Sequence, residues 1–239
     1  MLHRFANPTR ALRIAGAILP WSTALAVILL TAGLYYALAA SPIDYQQKDT
    51  VRIMYIHVPA AFMAMGGYAL VAVASAVALI WRHPVADLTA KAAAPIGAGF
   101  TIICLVTGSL WGQPTWGTWW VWDARLTSVL VLFFLYAGYI AIWEAYDDPS
   151  RAARAAAILA LVGSVNLPII HYSVYWWNTL HQGASLSLGD SKIDPAMLRP
   201  LFLMAGGFAA FFATVLILRL RAEILARRLR ALRLAQAES

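Results

Sequence analysis

Residues 92–110 read AAAPIGAGFTIICLVTGSL, residues 111–125 read WGQPTWGTWWVWDAR, and residues 126–146 read LTSVLVLFFLYAGYIAIWEAY. Two long apolar runs flank an aromatic segment that carries two glycines and a proline. At 1.5 Å of rise per residue, about 20 apolar residues in a helix cross the ~30 Å hydrocarbon core of a bilayer. Within that core every backbone N–H and C=O needs a partner inside its own segment, which a helix supplies. The unit therefore reads as span, outward loop, span.

The same arithmetic along the chain gives six spans: Ile14–Ala40, Ile53–Trp81, Ala92–Leu110, Leu126–Tyr146, Ala155–Trp176 and Met197–Leu218. The chain is 62% hydrophobic and 12% charged, where a soluble domain carries roughly 25% charged residues. The fold class expected is an all-α integral membrane protein, one six-helix domain over residues 1–239. The first span contains Ala37-Leu38-Ala39, which resembles a signal-peptidase site. Its apolar run is longer than the 7–15 residues of a signal-peptide core, so an uncleaved first helix is expected.

Thirteen of the 18 basic residues fall on the side of the termini: Arg4, Arg10, Arg13, Arg82, Lys91, Arg151, Arg154 and six arginines from Arg219 to Arg233. Lys48, Arg52, Arg125, Lys192 and Arg199 fall on the other side. Positive residues mark the cytoplasmic face, so both termini are expected there. The outward loops are then 41–52, 111–125 and 177–196. The net charge of +7 is thereby a topology signal and gives no reason to expect nucleic acid. The basic stretch 219–239 is expected to extend the last span as a cytoplasmic helix in contact with anionic membrane lipid. No phosphate-binding G-x-x-x-x-G-K motif occurs, so the chain has no ATPase of its own. Cys104 is the single cysteine; it permits no disulfide and no covalent C-x-x-C-H haem attachment, and reads as a small hydrophobe.

Of the five histidines, His3 and His83 belong to terminal-side segments. His57 and His181 belong to different spans but to the same outward depth. Neutral imidazole is a favoured iron ligand, and two of them can fill both axial positions of a haem. A haem also needs flat apolar walls. Trp111, Trp116, Trp119, Trp120 and Trp122 are half of the ten tryptophans, and Trp176 and Trp177 lie on the same side. Trp21, Trp81 and Trp143 fit the interfacial belt that anchors helix ends. Five indoles within twelve residues exceed what anchoring needs. With Gly112, Gly117 and Pro114 among them, the segment is expected to be an irregular platform rather than a helix.

Asp123 is placed to cap the fourth span. Arg52 and Arg125 are the outward cations nearest the aromatic segment and His57; they read either as contacts to haem propionates or as membrane-surface positioning. His171 lies within the membrane ten residues before His181, and is expected to be structural, with Asn166, Tyr172 and Ser173 as nearby partners.

The segment WGQPTWGTWWVWDARLT, with MYIHVPAA, NLPIIHYSVYWWNTLHQG and six spans, resembles the cytochrome c maturation protein C (CcmC) family of haem-handling WWD-domain proteins, over about Thr50 to Pro200. The resemblance implies haem b bound through His57 and His181 at the periplasmic face of the bacterial inner membrane, on a platform from Trp111 to Asp123. It implies presentation of that haem to the periplasmic chaperone CcmE for covalent attachment, which would make the chain a haem-lyase-like platform. It also implies the partners CcmA and CcmB, subunits of an ABC transporter, and the small membrane protein CcmD. Two other readings remain open at this point: an electron-transfer b-type membrane cytochrome, and a haem permease with spans broken at Pro95 and Pro168.

Overall fold

A computed structural model describes residues 7–181, 186–187, 190–191 and 193–237. His3, Arg4 and Lys192 lie outside the described residues. The apolar runs are helical throughout: α1 (Pro8–Tyr35), α2 (Met54–Trp81), α3 (Ala86–Trp116), α4 (Ala124–Ala145), α5 (Pro149–Gly163), α6 (Asn166–Trp176) and α7 (Pro195–Ala237). Asn7 starts α1 by accepting the Thr9 and Arg10 amides, with Pro8 at the first helical position, where its missing N–H costs nothing. A π turn, Tyr36–Ala40, ends that segment, and a 3₁₀ turn, Asp49–Ile53, leads into α2. The backbones of Leu186–Ser187 and Asp190–Ser191 form a minimal antiparallel pair. Among the described residues six helical segments are long and apolar enough to cross a membrane: 8–40, 49–81, 86–116, 124–145, 149–176 and 195–237.

Between helices in lipid the hydrophobic effect gives little drive, so small residues and buried hydrogen bonds must hold the bundle. The α2–α3 contact is built that way. Ala60, Ala64 and Val71 of α2 and Ala90, Ala93 and Ala94 of α3 are buried in one cluster. Gly67 and Gly97 let the two backbones approach, and Tyr136 of α4 fills the space above them. The Tyr136 hydroxyl donates to the Ala64 carbonyl at 2.8 Å, and its ring meets Tyr68 edge-on at 5.0 Å. A β-carbon on Gly97 would collide with that hydroxyl. α1 packs against α7, where Gly33 faces Met204 and Gly207 faces Leu30.

Two expectations need correction. The third span does not stop at Leu110: α3 continues through Pro114 to Trp116, so Trp111 and Trp116 are helical and only 117–123 is irregular. Pro114 lies in the last turn, where a missing N–H removes one hydrogen bond and little else. Gly117, at φ 76°, then closes the helix by donating to the Gln113 carbonyl. The fifth span is two helices rather than one, broken at Ser164–Val165. Pro168 cannot donate to the Ser164 carbonyl, which takes the Leu167 amide at 3.1 Å instead. The Asn166 side chain anchors the break by donating to the Ser128 carbonyl at 2.8 Å.

Candidate cofactor site

The site lies at the end of the bundle opposite the termini, where α2 and α4 begin and α3 and α6 end. His57 occupies the second turn of α2 and packs on one stripe of α3: Cys104, Thr107, Gly108 and Trp111, spaced i, i+3, i+4, i+7 along one helical face. His57 Nδ1 is 3.1 Å from the Cys104 carbonyl and 3.1 Å from Thr107 Oγ1. Thr107 donates its own proton to the Ile103 carbonyl at 2.6 Å, so toward His57 it is an acceptor. Facing two acceptors, Nδ1 carries the proton and Nε2 is left with its lone pair. Gly108 makes the fit possible, since a β-carbon there would come within 3.0 Å of His57 Cε1. Trp111 closes the side of the ring edge-on at 5.7 Å, and Gln47 Oε1 fixes Trp111 by accepting its N–H at 2.7 Å.

His181 is held by a parallel arrangement. Its Nδ1 lies 3.4 Å from Asp123 Oδ2, and its ring meets Trp116 edge-on at 4.9 Å. Asp123 Oδ1 accepts the Leu126 amide at 2.8 Å, so the expected helix cap is present and the second oxygen is turned to the imidazole. Burial pushes the Asp123 carboxyl up, but the Leu126 amide, the Thr179 hydroxyl and His181 together hold it below its ordinary value. Burial lowers the His181 imidazole, more than the Asp123 carboxylate raises it. The contact is thus a neutral imidazole donating Nδ1–H to a carboxylate rather than an ion pair. Among the described residues, His181 Nε2 has no hydrogen-bond partner either.

The other named residues divide. Trp120 and Trp122 meet edge-on at 5.5 Å, and Trp119 and Trp122 are exposed. The Trp120 indole N–H is buried with no acceptor among the described residues. Trp176 and Trp177 touch each other at 5.7 Å, and Trp176 stacks on Tyr172 at 5.2 Å. Among the described residues no ring contact joins that pair to either imidazole. Arg125 reaches across to α6, donating to Ser173 Oγ and to the Ile170 and His171 carbonyls. Arg52 pairs with Asp49 at 3.0 Å and donates to the carbonyls of Ala37, Leu38 and Ser41, closing the end of α1. His171 is exposed on α6, against Tyr172 at 4.8 Å.

Sequence reading missed Gln47, Thr107, Gly108, Thr179 and the Cys104 carbonyl. The Cys104-Thr107-Gly108-Trp111 stripe was there to be found once α3 is drawn through Trp111. Among the described residues no three His, Cys, Asp or Glu side chains converge on one point. Two bare imidazole nitrogens suit a metal that brings its remaining ligands with it, and exposed indoles suit a flat apolar body around that metal.

Comparison with known proteins shows the family. The sequence pattern of the heme exporter protein C (CcmC) family matches residues 1–235. A protein of that name from Bradyrhizobium diazoefficiens is 57% identical over 233 residues, covering 97% of this chain and 88% of its own. The Escherichia coli K12 protein of that name is 54% identical, covering 94% and 91%. That of Rhodobacter capsulatus is 46% identical, covering 95% of each chain. Matched over nearly its whole length, the chain belongs to the heme exporter protein C family.

Proposed function

We propose that this chain binds haem b at the periplasmic face of the bacterial inner membrane, with His57 and His181 as axial ligands. From there it presents the haem to the chaperone CcmE during c-type cytochrome biogenesis, within a complex containing CcmA, CcmB and CcmD. One observation carries the reading: two imidazoles from distant parts of the chain each have Nδ1–H fixed by an acceptor and Nε2 bare. Fixing the outer nitrogen of a ligand histidine sets its tautomer, its ring orientation and its basicity. Bound haem would supply an iron with two open axial positions and a vinyl-bearing edge able to react with a chaperone side chain.

The chain's residues do the holding. Gln47 positions Trp111 beside His57, Asp123 positions His181 beside Trp116, and both indoles ride on the last turns of α3. Trp119 and Trp122, together with Trp176 and Trp177, offer exposed apolar surface for the haem edge and for the chaperone. Arg52 and Arg125 serve this site first by bracing helices; either one would contact a propionate by exchanging a backbone carbonyl for a carboxylate. Exposed indoles at the rim favour presentation over an electron-transfer cytochrome, whose haem lies buried between helices.

Replacing both His57 and His181 with alanine is expected to abolish co-purifying haem and the low-spin bis-imidazole absorption bands. Undiminished haem in the double variant overturns the ligand assignment.

A further inference from the structure

α7 is 43 residues long, about 65 Å at 1.5 Å per residue, roughly twice the hydrocarbon core. Its terminal-side part is tied down along one face. Glu223 pairs with Lys91 at 2.8 Å, Ile224 is buried, Arg227 pairs with Asp87 at 2.6 Å and donates to the Pro84 carbonyl, and Arg228 reaches Thr9 at 2.6 Å. Leu225, Leu229 and Leu232 project away from that face within an arc of about 60° at 100° per residue. They are 52%, 48% and 63% exposed. Arg221 and Arg233 border them, and the stretch from Arg219 to Ala237 holds six arginines against one glutamate.

Lipid headgroups reach the first arginines of this stretch but not the outer part of the seam. Taking Arg219, the first arginine after the apolar run, as the edge of the hydrocarbon, the headgroup layer adds only about 5–7 Å beyond it. Leu229 and Leu232 lie about 15 and 20 Å past Arg219 along a continuous helix. A second copy is also disfavoured, because two such seams would bring two rows of arginines together. What complements the seam is apolar along its middle and negative along its borders.

We propose that the Leu225–Leu229–Leu232 seam is the docking surface for an acidic, water-soluble polypeptide on the terminal side of the membrane, one whose apolar strip is edged with carboxylates. The inference rests on the topology of α7 and not on the haem site. The test places a photo-crosslinking residue at 229, 232 or 234 of the full-length chain in its own membranes. Leu234 is 61% exposed on the opposite side of the helix at similar height, and so serves as the control.

Adducts from 229 and 232 but not 234, joined to an Asp- and Glu-rich peptide of one partner, are expected. The triple change L225Q/L229Q/L232Q, helix-compatible at exposed sites, is expected to lower adduct yield and partner co-purification at least about tenfold. The reversal R221E/R233E is expected to do the same with the leucines intact, and both variants are expected to keep the haem spectrum. Adducts to lipid or to a second copy, equal yield at 234, or undiminished yield in both variants each overturn the proposal. A lost haem spectrum in wild type would strike the haem reading and leave this one standing.

Discussion

At Asp123, one carboxylate oxygen takes the Leu126 amide and the other faces the His181 ring. The two roles separate on substitution. Asparagine caps a helix as well as aspartate does, so Asp123→Asn is expected to keep the cap and to lower the thermal midpoint less than Asp123→Ala does. It replaces a carboxylate by a weaker acceptor, and haem affinity, read by optical titration, is expected to fall about 10- to 100-fold. Asp123→Ala adds the loss of the cap, about 1 kcal/mol. The same pair fixes the pH response. His181 folds to a state that disfavours its proton, so below its ordinary 6.5 the unfolded chain takes up that proton first and stability declines. Asp123 folds to a state that favours its charge, so its contribution is present above 3.8 and is lost as pH falls through its lower folded value. The thermal midpoint is expected to hold above about pH 7 and to decline toward acid in two stages. His181→Gln should shrink the first stage and Asp123→Asn the second. The cap was legible because its acceptor and donor are three residues apart; the link to His181 was not, because 58 residues separate the partners.

At the scale of the element, α3 decides the geometry of the site. A sequence reader sees Gly112 and Pro114 and ends the helix early, since both are breakers in a helix interior. Near a C-terminus they break little, and the two extra turns put Trp111 and Trp116 on the helix that also cradles His57. The α5–α6 break is faint for the opposite reason: apolar composition is continuous across it, and only Pro168, the break point of the permease reading, hints at the interruption. Gly108 offers a test with two readouts that move in opposite directions. Gly108→Ala improves helix propensity by about 1 kcal/mol, so the thermal midpoint should hold or rise. Its new β-carbon at 3.0 Å from His57 Cε1 forces the ring aside by a few tenths of an ångström, and haem affinity should fall. Gly99→Ala on the same helix, with nothing within 4 Å, should raise the midpoint and spare haem.

For the whole molecule, span number was legible from apolar length, because the bilayer imposes a single ruler on every span. The ties between spans were not, since Lys91 and Glu223 stand 132 residues apart and Asp87 and Arg227 stand 140 apart. Lys91 also lies over the Trp143 ring at 4.9 Å. Glu223→Gln is expected to lower the thermal midpoint by about 2–4 °C, the shift that roughly 1 kcal/mol produces in a chain of this size. The apolar pair Lys91→Met with Glu223→Leu is expected to restore it, because a partly buried ion pair contributes little beyond a hydrophobic equivalent. α3 is gripped by α7 at one end, through Asp87 and Lys91, and carries the imidazole cradle and two indoles at the other. It is a single rod about 46 Å long. A force applied to Arg227 at one end of the bundle is therefore borne by the same rod that cradles His57 at the other.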